Sequence, residues 1–208
     1  MFPELLARCC TLPREQVVAL EAHYQLLLRW NKSLNLTRIT RLEEAVERHY
    51  CESIFVASHL PAGSLRIADI GSGAGFPGFP IAIVRPESSV TLIESQQRKA
   101  VFLKEASRST PNIKVLAVRA DVIHEQFDWV VSRAVSYSDL GQAMADLAPN
   151  AALLTGADEP PSSLGFAWER PVALPWGQQR FLRLGRLSRN SGGGEPGMHE
   201  GGPDHHGA

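Results

Sequence analysis

The chain has 208 residues, of which 44% are hydrophobic and 21% are charged, and its formal net charge is −1. This length suffices for one full core, so we expect a single domain with a small appendage. The near-neutral charge argues against a wholly basic protein. We see neither a secretory leader nor an apolar run that could span a bilayer, so we expect a cytoplasmic protein with no membrane partner.

Basic residues concentrate in two segments. Six lie between Arg98 and Arg119 against one acid, and five arginines with no acid lie between Arg170 and Arg189. They indicate either a local electropositive face or two separate solvated surfaces.

The chain has three cysteines, and no two of them have the CxxC spacing. They are Cys9, Cys10 and Cys51. We expect them to be buried thiols in a reducing compartment, rather than catalytic groups or metal ligands.

Residues 1–63 predict a helical cap. Pro13 suits the first position of a helix, and apolar residues recur after it at helical spacing. The polar segment 30–37, WNKSLNLT, interrupts this pattern. A second helix is expected from Thr40, with Glu43 completing a capping box.

Beyond residue 63, short apolar strands alternate with helices, which predicts an α/β domain over 64–190 with a parallel sheet and right-handed crossovers. The segments 171–176 and 180–187 predict a closing antiparallel pair, the first only an edge piece because it contains two prolines. The glycine- and proline-rich segment 191–208 predicts a disordered tail. The five expected parallel strands are LRIADI (65–70), SVTLIE (89–94), NIKVLAV (112–118), FDWVVS (127–132) and AALLTG (151–156).

The segment 68–83, ADIGSGAGFPGFPIAI, places four glycines and two prolines between an expected strand and an expected helix. Such a loop lets the backbone approach a ligand, and the helix beyond it offers free N–H groups. Phe76 occupies the third-glycine position of the dinucleotide fingerprint, which disfavours a pyrophosphate cofactor. The glycines proposed to approach the ligand are Gly71, Gly73 and Gly75.

Three acids stand at the expected strand ends beside this loop. Asp69 precedes the glycines and suits a ligand ammonium group, directly or through water. Glu94 ends the next strand, where an acid accepts from ribose hydroxyls. Asp121 follows the third strand, within reach of an adenine amine. Together they predict S-adenosylmethionine as the cofactor, with S-adenosylhomocysteine as the product.

These motifs resemble those of the bacterial 16S ribosomal RNA guanine-N7 methyltransferases, the glucose-inhibited division protein B family. The GAGFPG core is far more specific than a generic glycine loop, and the resemblance covers roughly residues 20–154. The further matching segments are WNKSLNLT (30–37), RHYCES (48–53), VTLIES (90–95), VRAD (118–121) and FDWVVSRAV (127–135).

The resemblance implies a Rossmann-like class I methyltransferase fold: a mostly parallel, seven-stranded sheet with helices on both faces and an N-terminal helical extension. It implies methylation of guanine N7 in the helix 18 loop of 16S ribosomal RNA, as naked RNA or in the small ribosomal subunit, with no obligate protein partner. The residues that it places around the cofactor are Gly71, Phe76, Glu94, Ala120, Asp121 and Arg133.

Guanine N7 carries a lone pair and no proton, so we expect no acid–base residue, no metal and catalysis by positioning alone. The residues expected at the pocket mouth are Asn35, His49, Pro77 and Arg133. A buried Arg133 needs a partner, for which a cofactor carboxylate, a substrate phosphate and Asp69 are the options.

Some of the basic residues are expected to bind RNA phosphates. Strand alternation puts Arg180 and Arg186 on one face and Arg183 on the other. The candidates are Arg98, Lys99, Lys104, Arg108, Arg180 and Arg186.

Two departures from the family pattern leave alternatives open. Thr155 stands where the family has a lysine, and 158–168 is too short and proline-rich for the family's next helix. The alternatives are a methyltransferase with a protein or small-molecule acceptor and a non-catalytic protein that binds ribosomes or senses the cofactor.

Overall fold

The computed structural model describes residues 1–141 and 143–188. A π-helical turn, Val46–Cys51, joins α3 to α4, and 3-10 turns lie at Ala120–Val122 and Ser162–Leu164. The expected disordered tail, 191–208, lies outside the described residues. The helices are α1 (Phe2–Leu6), α2 (Arg14–Leu34), α3 (Leu42–Ala45), α4 (Glu52–His59), α5 (Gly78–Val84), α6 (Gln97–Ala106), α7 (Tyr137–Leu140) and α8 (Ala143–Leu147). The strands are β1 (Arg66–Ile70), β2 (Ser89–Ile93), β3 (Ile113–Leu116), β4 (Trp129–Arg133), β5 (Asn150–Thr155), β6 (Phe166–Trp168), β7 (Val172–Ala173) and β8 (Phe181–Leu187).

In the described residues these strands form one sheet in the order β3-β2-β1-β4-β5-β8-β6, with β7 also paired to β8. Strands β1 to β5 are parallel, whereas β8 runs antiparallel to β5, β6 and β7. This confirms the α/β fold class, with one strand more than the seven expected. The extra strand is β6, which follows a left-handed turn at Gly165 (φ +79°) and pairs with β8.

Alternation along the strands builds a core on each face of the sheet. Ile67 packs into a cluster with residues of α1 to α6, while its neighbour Ala68 packs into a second cluster with residues of α7 and α8. Helices therefore cover both faces, as expected for a doubly wound sheet. No helix in the described part of the chain is both long and apolar enough to cross a lipid bilayer.

Helix α2 extends further than predicted, because it does not end where the polar segment 30–37 begins. Pro13 is its N-cap rather than its first helical residue, and the helix continues through the first part of WNKSLNLT to Leu34. It ends because Asn35 adopts a left-handed conformation (φ +49°), which terminates the helical hydrogen bonds.

The predicted capping box at Thr40 and Glu43 is wrong. The N-cap is Arg41, and no side chain caps this helix. The carbonyl oxygen of Thr40, just before the helix, accepts the hydroxyl of Tyr24 at 2.9 Å.

The expectation of three buried thiols is also wrong. Cys9 and Cys51 form a disulfide with a Cα–Cα distance of 6.0 Å, and only Cys10 is a free thiol among the described cysteines. Because α1 packs against the π-helical turn, it brings Cys9 to a residue 42 positions away.

Between β4 and β5 the chain forms two short helices, α7 and α8. Gly141, at φ +44°, follows α7 and turns the chain there.

The closing antiparallel pair is confirmed, and its first member, β7, is a two-residue edge strand.

Candidate functional site

A cavity of about 380 Å³ lies at the carboxyl ends of the parallel strands, where open α/β sheets bind ligands. The strand order reverses between β1 and β4, so the loops that follow these strands diverge and leave a crevice. The sequence-predicted residues on its wall are Gly71, Gly73, Glu94, Ala120 and Asp121.

The glycine loop enters this cavity with left-handed backbone at Gly71 (φ +71°) and Gly73 (φ +56°). A Cβ on Gly71 would collide with the side chain of Val135, so the close approach of these two loops requires glycine. A Cβ on Gly73 would meet only a carbonyl oxygen at 3.8 Å and would otherwise enter open space. The loop thus presents bare backbone to the cavity.

Gly75 and Phe76 face the protein interior instead. A Cβ on Gly75 would lie 3.2 Å from Phe79 and 3.3 Å from His23, so this glycine permits close packing below the loop. Phe76 is buried and does not line the cavity, although the resemblance placed it around the cofactor. Its ring stacks on His49, with centroids 4.4 Å apart.

Glu94 connects the end of β2 to the glycine loop. Its Oε2 accepts the N–H of Gly73 at 2.9 Å, and its Oε1 accepts the N–H of Gln96 at 2.8 Å. Parallel pairing places Ile70 opposite Ile93, which brings the loop and the carboxylate side by side. A carboxylate has about four acceptor sites, so two remain for a ligand at the cavity wall.

Asp69 lies behind the loop and does not line the cavity. It is fully buried, and its Oδ2 accepts the N–H of Gly78 at 2.9 Å. Its Oδ1 is buried with no hydrogen-bond partner among the described residues. Burial raises the pKa of Asp69 to about 7, although the N–H of Gly78 acts in the opposite direction.

Asp121 lies on the cavity wall beyond the end of β3, the strand next to the one that Glu94 follows. It is exposed and forms an ion pair with Arg119 at 3.1 Å, and Ala120 lies beside it on the wall. The cavity therefore offers carboxylates beyond both β2 and β3, as the spacing of the acids predicted.

Arg133 lies at the end of β4. Its hydrogen-bond partners are none of the three groups that the sequence suggested, which were a cofactor carboxylate, a substrate phosphate and Asp69. Its Nη1 donates to the carbonyl oxygen of Arg48 at 2.7 Å and to Nδ1 of His49 at 2.8 Å. Its guanidinium also lies over the ring of Phe76, at 5.2 Å from the centroid. Burial lowers the pKa of Arg133 to about 10.

This contact fixes the protonation of His49. Arginine has no acceptor, so the Nδ1 that contacts Arg133 carries no proton. The proton is therefore on Nε2, which donates to Oγ1 of Thr37 at 3.0 Å. Burial and the charge of Arg133 lower the pKa of His49 to about 2, which keeps the ring neutral.

The other two residues expected at the pocket mouth hold backbone turns. Asn35 is the left-handed C-cap of α2, and Pro77 is the buried N-cap of α5. Neither lines the cavity.

The basic residues expected to bind RNA lie far apart. Helix α6 packs against β3 near one edge of the sheet, whereas Arg186 lies on β8, five strands away, or roughly 24 Å at about 4.8 Å per strand. They form two surfaces rather than one face. Arg98, Lys104 and Arg108 are exposed on or just beyond α6, while Lys99 lines the cavity.

Arg180 is not a free surface cation. Its Nε donates to Oε1 of Glu52 at 2.7 Å and its Nη2 donates to the other oxygen, and Glu52 is fully buried. Sequence alternation could not reveal a carboxylate 128 positions away.

Several cavity residues were not predicted. Ser136 and Asp139 lie on the wall, and the side chain of Ser136 accepts the N–H of Asp139 at 3.1 Å as the N-cap of α7. The S-x-x-D spacing is a capping signature that could have located them. Within the described ranges, no three His, Cys, Asp or Glu side chains are grouped as metal ligands.

The reversal of strand order, the glycine loop after β1 and the acid after β2 together define a Rossmann-like class I methyltransferase fold. Solved structures share it. A SAM-dependent methyltransferase from Aquifex aeolicus aligns with a TM-score of 0.55 and 16% identity, over 70% of this chain and 93% of that one. Magnesium protoporphyrin IX methyltransferase from Synechocystis PCC 6803, with bound SAM, aligns with a TM-score of 0.60 and 12% identity, over 80% and 97%.

Sequence comparisons show the family to which the chain belongs. The family model described as GidB, rRNA small subunit methyltransferase G, matches residues 16–151, and the chain belongs to this family. Ribosomal RNA small subunit methyltransferase G of Mycoplasma capricolum is 39% identical over 135 residues, and that of Methylobacillus flagellatus is 42% identical over 129. These alignments cover 62% and 60% of this chain and 58% and 62% of the relatives, so the chain spans less than two thirds of their length.

Proposed function

We propose that the protein transfers a methyl group from S-adenosylmethionine to N7 of a guanine in 16S ribosomal RNA. The observation that carries this proposal is the cavity in which the bare glycine loop and the carboxylate of Glu94 meet. The family membership and the names of the relatives support the choice of small-subunit ribosomal RNA.

The residues present fit this cofactor. The volume of about 380 Å³ lies within the range of small-molecule sites. Open space beside Gly73 leaves room for ligand atoms against the backbone. The two unused acceptor sites of Glu94 match the two hydroxyls of a ribose, and Asp121 would accept from the adenine amine.

When bound, S-adenosylmethionine supplies a methyl group on a positively charged sulfur. The protein's contribution is to hold the acceptor in line with that group, because guanine N7 has a free lone pair and no proton to remove. His49 does not serve as a base, since both of its ring nitrogens are engaged in hydrogen bonds and its pKa is about 2.

Arg133 and His49 position the pocket instead. They connect the end of β4 with the π-helical turn, and Phe76, which belongs to the glycine loop, packs against both of them. Movement of the loop would therefore break the stacking of Phe76 on His49 and its contact with the Arg133 guanidinium. We infer that this packing holds the loop rigid around the cofactor.

Thr155, which stands where the family has a lysine, is hydrogen-bonded to an arginine of the neighbouring strand. Arg183 donates from Nε to the hydroxyl of Thr155 at 3.1 Å and from Nη2 to the carbonyl oxygen of Ala157 at 3.2 Å. The end of β5 is thus held by an arginine from β8. We infer that the sheet needs no lysine at this position.

The test incubates the protein with methyl-labelled S-adenosylmethionine and unmodified 16S ribosomal RNA, supplied as naked RNA, small subunits and assembly intermediates. We expect label on a guanine N7, mapped by mass spectrometry. Label on protein alone would indicate a different acceptor. Cofactor binding without turnover on any substrate would indicate a non-catalytic protein.

We further propose that the protein acts in the cytoplasm without an obligate protein partner. The proposed acceptor, ribosomal RNA, is located there. Turnover by the isolated protein on naked RNA or purified subunits would support this, and turnover that requires a lysate component would contradict it.

A further inference from the structure

The end of α2 and the loop to α3 carry a run of positive charge outside the two basic segments described above. Between residues 29 and 41, which we call the basic turn, there are four basic residues and no acid. All four side chains are exposed. They are Arg29, Lys32, Arg38 and Arg41.

These four cations have no carboxylate partner within the described residues, as is also true of Arg98 and Lys104 on α6, whereas several other basic side chains at the surface do have one. Arg66 and Lys114 share Glu125, and Arg48 pairs with Glu44. A cluster of unpaired like charges repels itself, and a polyanion relieves that repulsion. The surface therefore suits a chain of phosphates.

Hydrogen bonds hold the backbone of the basic turn in one conformation. The side chain of Asn31 accepts the N–H of Thr37 at 2.9 Å and donates to its carbonyl oxygen at 3.0 Å. Oγ1 of Thr37 accepts the N–H of Ile39 at 3.0 Å, and Leu36 is buried beneath. The arginines thus extend from a preformed platform, so little ordering is needed on binding.

A chain of hydrogen bonds links the basic turn to the end of β4, next to the cavity wall. Thr37 accepts from His49, and His49 accepts from Arg133 at the end of β4. Ala134 and Val135, which follow Arg133 in the chain, line the cavity. A polyanion on the basic turn would therefore lie beside the carboxyl edge of the sheet, where the acceptor must enter.

The basic residues at the far end of α6 are less well placed, although Lys99 near its start lines the cavity. The helix begins beside the cavity and rises about 1.5 Å per residue, so Lys104 lies roughly 10 Å further along it, and Arg108 lies beyond the end of the helix. Arg108 also pairs with Glu105 at 3.8 Å.

We propose that the basic turn is the surface on which the RNA substrate docks, with Arg38 and Arg41 contacting its phosphates. This inference rests on the proposed function, because it takes RNA to be the acceptor. The binding is electrostatic and independent of base identity, and it directs a single-stranded or looped region toward the cavity.

The test compares three double variants with the wild-type protein in binding a 16S ribosomal RNA fragment over a range of salt concentrations. The test variant is Arg38→Gln/Arg41→Gln. The matched control, Arg8→Gln/Arg14→Gln, removes the same charge from exposed positions near the other end of α2. The competing surface is tested with Lys104→Gln/Arg108→Gln.

We plot the logarithm of the RNA association constant against the logarithm of the salt concentration. The test variant should reduce the magnitude of this slope by about 1.4 to 1.8, and weaken binding about tenfold or more at about 0.1 M salt. The control should bind within about twofold of wild type. Unchanged affinity for S-adenosylmethionine in the test variant would show that its fold is intact.

The outcomes separate this proposal from the proposed function. If wild type binds and methylates RNA but the test variant has the wild-type slope, the docking surface alone is wrong. A loss confined to the α6 variant would move the surface to that helix. If wild type binds neither the RNA fragment nor the small ribosomal subunit, both proposals are wrong.

Discussion

Glu94 illustrates how one buried side chain organises the cavity. Its two oxygens each accept a backbone N–H, one from the glycine loop and one from the start of α6, and the residue lines the cavity. It therefore shapes the loop and offers acceptors to the proposed ribose at the same time.

We predict that Glu94→Gln weakens S-adenosylmethionine binding about 10- to 100-fold, because hydrogen bonds to a charged group contribute about 1.5–3 kcal/mol. Isothermal titration calorimetry measures this change. Glu105→Gln, an exposed acid-to-amide change on α6, should leave the dissociation constant unaltered. Equal affinity of Glu94→Gln and wild type would remove Glu94 from the cofactor site.

At the scale of elements, the ion pair of Arg180 and Glu52 fastens the start of β8 to α4. The carboxylate is fully buried and the guanidinium is partly exposed, with 24% of its side chain accessible. Removing the cation leaves a buried charge without a partner, whereas removing the anion leaves a cation that still reaches water.

We predict that Arg180→Gln lowers the free energy of unfolding by about 3 kcal/mol, and that Glu52→Gln lowers it less. The double variant should lose less than the sum of the two, as urea denaturation would show. Additive losses would contradict direct pairing. If Arg180→Gln were as stable as the wild type and its RNA binding depended less steeply on salt, Arg180 would again be a candidate phosphate contact.

The disulfide of Cys9 and Cys51 is a second link between elements, and it joins the segment after α1 to the π-helical turn. It closes a loop of 42 residues, for which the chain-entropy relation gives about 4 kcal/mol of stabilisation. We predict one free thiol in the unreduced, denatured protein and three after reduction, with a matching fall in stability. Three free thiols before reduction would show that the bond does not form in the purified protein.

For the whole molecule, three buried groups determine how stability depends on pH. Burial lowers the pKa of His23 to about 3, while burial and Arg133 lower that of His49 to about 2. The unfolded chain binds more protons at both sites below pH 6.5, so these groups make stability fall as pH decreases. Asp69, with its pKa raised to about 7, acts in the opposite direction between about pH 4 and 7.

We predict that His49→Gln reduces the slope of unfolding free energy against pH, between pH 4 and 6, by about 1.4 kcal/mol per pH unit. Asp69→Asn should increase the slope by a similar amount. Chemical denaturation at a series of pH values measures both. Parallel curves for wild type and His49→Gln would contradict a neutral, buried histidine.

The order of strands and helices was readable from the sequence because it rests on local patterns. Alternation of apolar segments with period 2 and period 3.6 specifies strands and helices over a few residues. The glycine loop and Glu94 were also found this way, since consecutive parallel strands bring their carboxyl ends to one edge of the sheet. The same local reasoning failed for the helix at Thr40, where a distant tyrosine occupies the backbone carbonyl.

The sequence by itself therefore determined the fold class, the family and the edge of the sheet that holds the cavity. Only the tertiary structure decided which partners the two arginines have. Arg133 donates to the neutral His49 across 84 positions, and Arg180 pairs with Glu52 across 128. The burial of Asp69 and Phe76 behind the loop was likewise decided by packing. Such contacts depend on how helices dock on the sheet, and no short-range pattern encodes that geometry.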